Sequence, residues 1–107
     1  MTDIVLNSLY ELIKSRKGTD STTSYTAKLF ERGTKKIAQK VGEEATEAVI
    51  AAVTRDKNEL ITESADLLFH LLVLWADQNI HPNEVLAELT QRKGTSGIDE
   101  KKSRKKE

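Results

Sequence analysis

The sequence predicts an all-α domain, a bundle of about five helices whose core is an antiparallel helix pair. Three observations lead there. Apolar residues recur at helical spacing through most of the chain. Aromatic residues make up 5 % of the sequence and charged residues 32 %, a balance that suits helices with a wet surface and not a β-sandwich. Helix start and stop residues fall at the joints between the periodic stretches.

The first helix runs from about Asp3 to Lys17, with Ile4, Leu6, Leu9, Leu12 and Ile13 along one face. Gly18 to Thr23 is a polar break rich in Gly, Ser, Thr and Asp, hence a loop. A short second helix spans about Ser24 to Arg32, with Ser24 as N-cap and Gly33 as stop. The third begins near Thr34 and reaches about Thr54. The fourth opens at Asp56, where Glu59 three residues on completes a capping-box pattern, and ends near Asn79. Its apolar residues lie almost all the way round, so it is expected to be buried on most sides. His81-Pro82 opens a fifth helix ending near Lys93, with proline in the first turn, where its missing N–H costs nothing. Residues 94–97 read as a flexible turn. The domain is expected to span 1–95, with 96–107 a charged tail.

At 107 residues the chain holds one domain with a modest core, the kind that often gains stability by pairing. There is no cysteine, which excludes a disulfide framework and a thiolate metal site. Any metal must be held by oxygen or imidazole. Formal net charge is zero, but five of the seventeen basic residues lie in the last seven positions. The remainder is mildly acidic, which argues against a nucleic-acid partner. No apolar run approaches the ~18 residues of a membrane span. No basic segment leads into a long apolar one, so no secretory leader is expected and the default compartment is the cytoplasm.

The chemistry concentrates on the third and fourth helices. At about 100° per residue, Glu44 falls inside the apolar arc of the third helix, between Ile37 and Ala51. Lys40 and Glu47 lie beside it, and Lys36 and Glu43 follow further round. On the fourth helix Glu63, Asp66, His70 and Asp77 occupy one narrow strip of an otherwise apolar surface. Two acidic pairs on adjacent antiparallel helices bring four carboxylates together in a partly apolar setting. Buried like charges cost several kcal/mol each (on the order of) unless some are protonated or a cation sits among them. Hard divalent ions take oxygen ligands, and Mg²⁺ commonly pairs a few carboxylates with substrate phosphates. Glu44, Glu47, Glu63 and Asp66 are therefore the candidate metal ligands.

Glu43-Glu44-Ala45-Thr46-Glu47, fifteen residues, then Glu63-Ser64-Ala65-Asp66 resembles the EExxE…ExxD signature of the all-helical MazG-like nucleotide pyrophosphatases. More narrowly, the chain is similar to the phosphoribosyl-ATP pyrophosphohydrolase family in four stretches. They are Ser24-Tyr25-Thr26, Leu29-Phe30, Lys36 to Ala45, and Arg92 to Ser103 with its Thr95-Ser96-Gly97-Ile98. The resemblance implies a MazG-like fold, a cytoplasmic homodimer, and Mg²⁺-dependent hydrolysis of phosphoribosyl-ATP to phosphoribosyl-AMP and pyrophosphate, without a fused cyclohydrolase domain. Carried over by position, Glu44, Glu47, Glu63 and Asp66 would hold Mg²⁺. Glu43 would be a further ligand, orient a water, or act as general base. Lys40, and more weakly Lys36, are candidates to contact the leaving pyrophosphate.

Plainer roles stand beside these. Lys40 is equally suited to an i,i+4 ion pair with Glu44. His70 is expected to support the site rather than to ligate. Asp77 is expected to face solvent or a partner chain, Trp75 to join the core or a dimer interface, and Gly42 to mark close helix packing. Two rival functions remain: a housekeeping nucleoside triphosphate pyrophosphatase with the same metal site, and a non-enzymatic helical dimerisation module. The module leaves Glu63 and Asp66 uncompensated.

Overall fold

A computed structural model describes residues 2–93; the expected turn at 94–97 and the charged tail at 96–107 lie outside the described residues. Five helices follow in order: α1 (Thr2–Ser15), α2 (Tyr25–Arg32), α3 (Thr34–Val53), α4 (Lys57–Asp77) and α5 (Pro82–Arg92). No strand occurs among the described residues. The α3–α4 hairpin is the largest contact in the molecule. α1 and α5 pack on one another and α1 on α4, while α2 lies against α3 and touches α4.

The core gathers Tyr10 and Ile13 of α1, Leu29 of α2, Ile37 of α3, and Leu72, Val73 and Ala76 of α4. It sits around the C-terminal half of α4. Leu6, Leu9, Phe30, Phe69, Leu74 and Trp75 pack around it. The expected α1 face is therefore rotated. Ile4 and Leu12 are exposed, and the buried stripe runs through Leu6, Leu9, Tyr10 and Ile13, because Tyr10 also packs edge-on against His81 ahead of α5.

Local chemistry sets the helix ends. Ser24 Oγ accepts from the Ala27 N–H at 3.1 Å and caps α2. Asp56 Oδ1 accepts from the Glu59 N–H at 3.0 Å and caps α4. The capping box expected there is only half formed, because the Asp56 N–H instead donates to the Ala51 carbonyl across the turn. That turn is very tight, and Arg55 adopts φ 60° to make it. A reciprocal cap forms at α5, where the Asn83 N–H donates to His81 Nδ1 and the His81 N–H donates to Glu84. α1 ends at Ser15, two residues early, and Lys17 leaves the helix to donate to the Ala76 carbonyl at 2.7 Å. A cation on the last carbonyls of α4 is favourable there.

Two expectations fail. α4 is not buried on most sides: Ile61, Ala65 and Leu68 are exposed, because α1 covers only its C-terminal half. Gly42 does not mark close packing, since a Cβ placed there meets nothing within 4 Å. Asp77 is half-buried and lines an open cavity with Lys17 and Phe30. It accepts from the Thr34 hydroxyl at 2.6 Å and from the Gln78 amide at 2.8 Å, tying the start of α3 to the end of α4.

Candidate metal and phosphate site

Glu44 projects from the buried face of α3 that also carries Ile37 and Ala51. Glu63 and Asp66, three apart on α4, meet it. One carboxylate oxygen from each of the three lies within 4.8 Å of the others. Glu44 and Glu63 are buried and Asp66 is exposed, so the group opens to solvent on one side. Glu47, about 60° further round α3, is exposed at the rim and acts on the group through Glu63.

The electrostatics of the cluster fall on Glu63. A hydrogen bond with Glu47, burial, and repulsion from Glu47, Glu44 and Glu59 push its carboxyl up to about 7. Its Oε2 atom is buried with no hydrogen-bond partner. A bare, buried carboxylate oxygen beside two further carboxylates is a donor set suited to a hard cation. Opposed oxygens around Mg²⁺ stand ~4.2 Å apart. Separations within 4.8 Å are close enough for side-chain rotation to close. These residues fit the ion.

The other predicted residues surround this group. Lys40 lies 3.6 Å from Glu44 and 3.4 Å from Glu43, so its ion-pairing role is present. Desolvation lowers the Lys40 ammonium, but Tyr25, Glu43 and Glu44 together outweigh it and hold its pKa up. Glu43 is exposed and outside the carboxylate group. It accepts from the Gln39 amide at 2.9 Å, and that bond with Lys40 holds it below the usual carboxylate range. Lys36 stands one turn before Lys40, half-buried.

Sequence reasoning missed Tyr25 as a contact of the site. His70 Nδ1 lies 2.7 Å from the Asp66 carbonyl, an acceptor only, so Nδ1 carries the proton. In the neutral ring Nε2 then accepts from the Tyr25 hydroxyl at 2.8 Å. Desolvation, with Glu44, Glu43 and Asp66 adding to it and Lys40 opposing, raises the Tyr25 pKa and keeps that donor protonated. The pair braces α4 at Asp66 from α2. A Tyr 45 positions away from its His leaves no spacing signal in sequence. A cavity of about 390 Å³ between Lys17, Phe30 and Asp77 contains none of these groups.

Fold and site together define a small all-helical protein that carries, on a helical hairpin, a carboxylate cluster suited to a hard cation. The profile of the family described as phosphoribosyl-ATP pyrophosphohydrolase matches residues 6–93. A phosphoribosyl-ATP pyrophosphatase of Paramagnetospirillum magneticum is 65 % identical over 95 % of this chain and 94 % of its own length. Those of Azospirillum brasilense and Rhodospirillum rubrum are 62 % and 55 % identical, covering 94 % and 95 % of this chain and 91 % and 87 % of their own lengths. The chain belongs to the phosphoribosyl-ATP pyrophosphohydrolase family.

Proposed function

We propose that this chain hydrolyses phosphoribosyl-ATP to phosphoribosyl-AMP and pyrophosphate, the second step of histidine biosynthesis, with Mg²⁺ held by Glu44, Glu63 and Asp66 and by Glu47 at the rim. The observation that carries the reading is the meeting of Glu44, Glu63 and Asp66 within 4.8 Å around an unpartnered, buried Glu63 oxygen. The bond broken joins the α and β phosphorus atoms of a triphosphate, whose oxygens repel an incoming nucleophile. Mg²⁺, when held there, would supply charge neutralisation and would acidify water.

The chain's own residues do the rest. Lys40, beside Glu44, faces the departing pyrophosphate and offsets its charge. Glu43, ionised and held by Gln39 and Lys40, orients a water at the edge of the site. Tyr25 and His70 keep the Asp66 turn of α4 in place.

The reading carries a cytoplasmic homodimer with it. Val49 and Val53 of α3 and Ile61 and Leu68 of α4 are apolar yet 61, 72, 59 and 48 % exposed, which favours a second copy over solvent as their cover. Leu68→Glu is expected to give a monomer in sedimentation; an unchanged dimer places the interface elsewhere.

The activity test is product analysis on phosphoribosyl-ATP with and without Mg²⁺. Pyrophosphate, not orthophosphate, is expected, and only with the metal. Glu47→Gln and Asp66→Asn are each expected to lose most activity while helicity by circular dichroism is unchanged. Retained turnover in either variant would sink the ligand assignment.

A further inference from the structure

The carboxylate cluster answers one end of a phosphoribosyl-ATP molecule. If that is the substrate, as read above, it has a second anionic end: a phosphate monoester on the far ribose, separated from the triphosphate by two sugars and the base. A groove among the described residues has the charge to meet it. Between α2 and α3 a groove of about 150 Å³ is lined by Tyr25, Lys28, Leu29, Arg32, Lys36 and Lys40. Four of these six are cations and none is an acid. Lys28 and Arg32 stand one turn apart on α2, and Lys36 and Lys40 one turn apart on α3. Each is a like-charge i,i+4 pair, an arrangement that disfavours its own helix.

Among the described residues Lys40 pairs with Glu43 and Glu44, whereas the side chains of Lys28 and Arg32 make neither an ion pair nor a hydrogen bond. Unneutralised cations converging from two helices form a site for an anion, and guanidinium with ammonium is a donor set suited to phosphate.

The groove adjoins the acidic cluster. Lys40 lines it and lies 3.6 Å from Glu44, and Tyr25 lines it while bonding to His70. Along α3, Lys36 precedes Glu44 by eight residues, ~12 Å of helix rise. That distance separates two possible occupants. The leaving pyrophosphate is joined directly to the phosphorus attacked, so it stays at the cluster, where Lys40 already stands. The group able to reach Lys28, Arg32 and Lys36 is the one at the other end of the substrate.

We propose that the α2–α3 groove binds the phosphoribosyl 5′-phosphate through Lys28 and Arg32, with Lys36 beside them, and that it selects phosphoribosyl-ATP over free nucleoside triphosphates, which lack that phosphate.

The test uses the full chain carrying Lys28→Gln together with Arg32→Gln, assayed with saturating Mg²⁺ on phosphoribosyl-ATP and on ATP. KM for phosphoribosyl-ATP is expected to rise about tenfold or more, the loss typical of charge-assisted bonds, with kcat within about twofold of wild type. The preference for phosphoribosyl-ATP over ATP, as a ratio of kcat/KM, falls by about the same factor. Ribose 5-phosphate, which carries only this end, is expected to compete with substrate in wild type and to lose that competition in the variant. An unchanged KM, or a loss of kcat at unchanged KM, overturns the proposal. If the double variant does not melt cooperatively, each single variant is expected to raise KM about threefold, and an unchanged KM in both again refutes it. A wild-type chain that does not turn over phosphoribosyl-ATP refutes the substrate assignment itself; a wild-type chain that does, with an indifferent variant, refutes the groove alone.

Discussion

Replacing Glu63 by Gln separates the two things its carboxyl does. The substitution keeps the side chain's length and a hydrogen-bond donor toward Glu47, and removes a charge that Glu47, burial, Glu44 and Glu59 all oppose. In the metal-free protein this carboxyl holds its proton up to about 7 instead of 4.5. Between those values the folded chain binds up to one proton more than the unfolded chain. Stability from this group is therefore full below 4.5 and is lost as pH rises through about 7. Glu63→Gln has no such proton to lose. With chelator present, the variant is expected to match wild type at pH near 4 and to melt progressively higher than wild type by pH 8. Mg²⁺ reverses the order. A cation that binds only the folded state adds about 2.7 kcal/mol at a free concentration near 100 times Kd, on the order of 10 °C in Tm for a chain of this size. Wild type is expected to gain that shift, and to gain more at pH 8 than at pH 6, because the ion must displace the Glu63 proton. The variant is expected to gain little. Thermal melts at four pH values, with chelator and with graded Mg²⁺, read both effects. A variant less stable than wild type in chelator at pH 8, or one that keeps the full Mg²⁺ shift, refutes the reasoning.

Other substitutions test the frame around the site. Gly42→Ala fills open space within a helix, so Tm is expected to rise by the equivalent of about 1 kcal/mol; a lower Tm would show that a second body approaches α3 at that position. Ile37→Ala empties a fully buried core position beside the hairpin and is expected to cost about 2–5 kcal/mol in urea unfolding; a loss well below that range would remove Ile37 from the core. Asp56→Ala removes the α4 N-cap and is expected to cost about 1 kcal/mol. Because the box there is half formed, Glu59→Ala is expected to cost clearly less in the same denaturation assay, and equal losses would restore the full box.

The sequence carried the helices and the acidic pairs because both depend on short spacings. Ser24, Asp56 and Pro82 mark helix starts within a turn of where they act, and Glu63 and Asp66 stand out on an apolar helix whatever packs against it. What it could not carry were the relations between helices. Periodicity gives an apolar arc but not its partner, so α4 read as buried on most sides although α1 covers only its C-terminal half. Tyr10 was not recognised as core because its cover is His81, 71 positions away. All four acidic positions read as ligands, yet the helix crossing gathers Glu44, Glu63 and Asp66 and leaves Glu47 at the rim. Glu43, next in sequence to a buried glutamate, turns outward to Gln39 and Lys40. The groove of Lys28, Arg32, Lys36 and Lys40 was only half visible, since its α2 side lies across a helix break from the signature.

The tight turn at Arg55 has a kinetic consequence. Glu44 and Glu63 are only nineteen residues apart, and the hairpin that joins them is closed by local contacts, the kind that form fastest during folding. The centre of the acidic cluster is thus set by the part of the chain expected to assemble first, before α1 and α5 arrive to cover α4. Its carboxylates repel one another at that moment, so a divalent cation present during refolding is expected to favour closure of the hairpin as well as the finished protein. The placement of the site on consecutive helices ties the timing of its assembly to the nucleus of the fold.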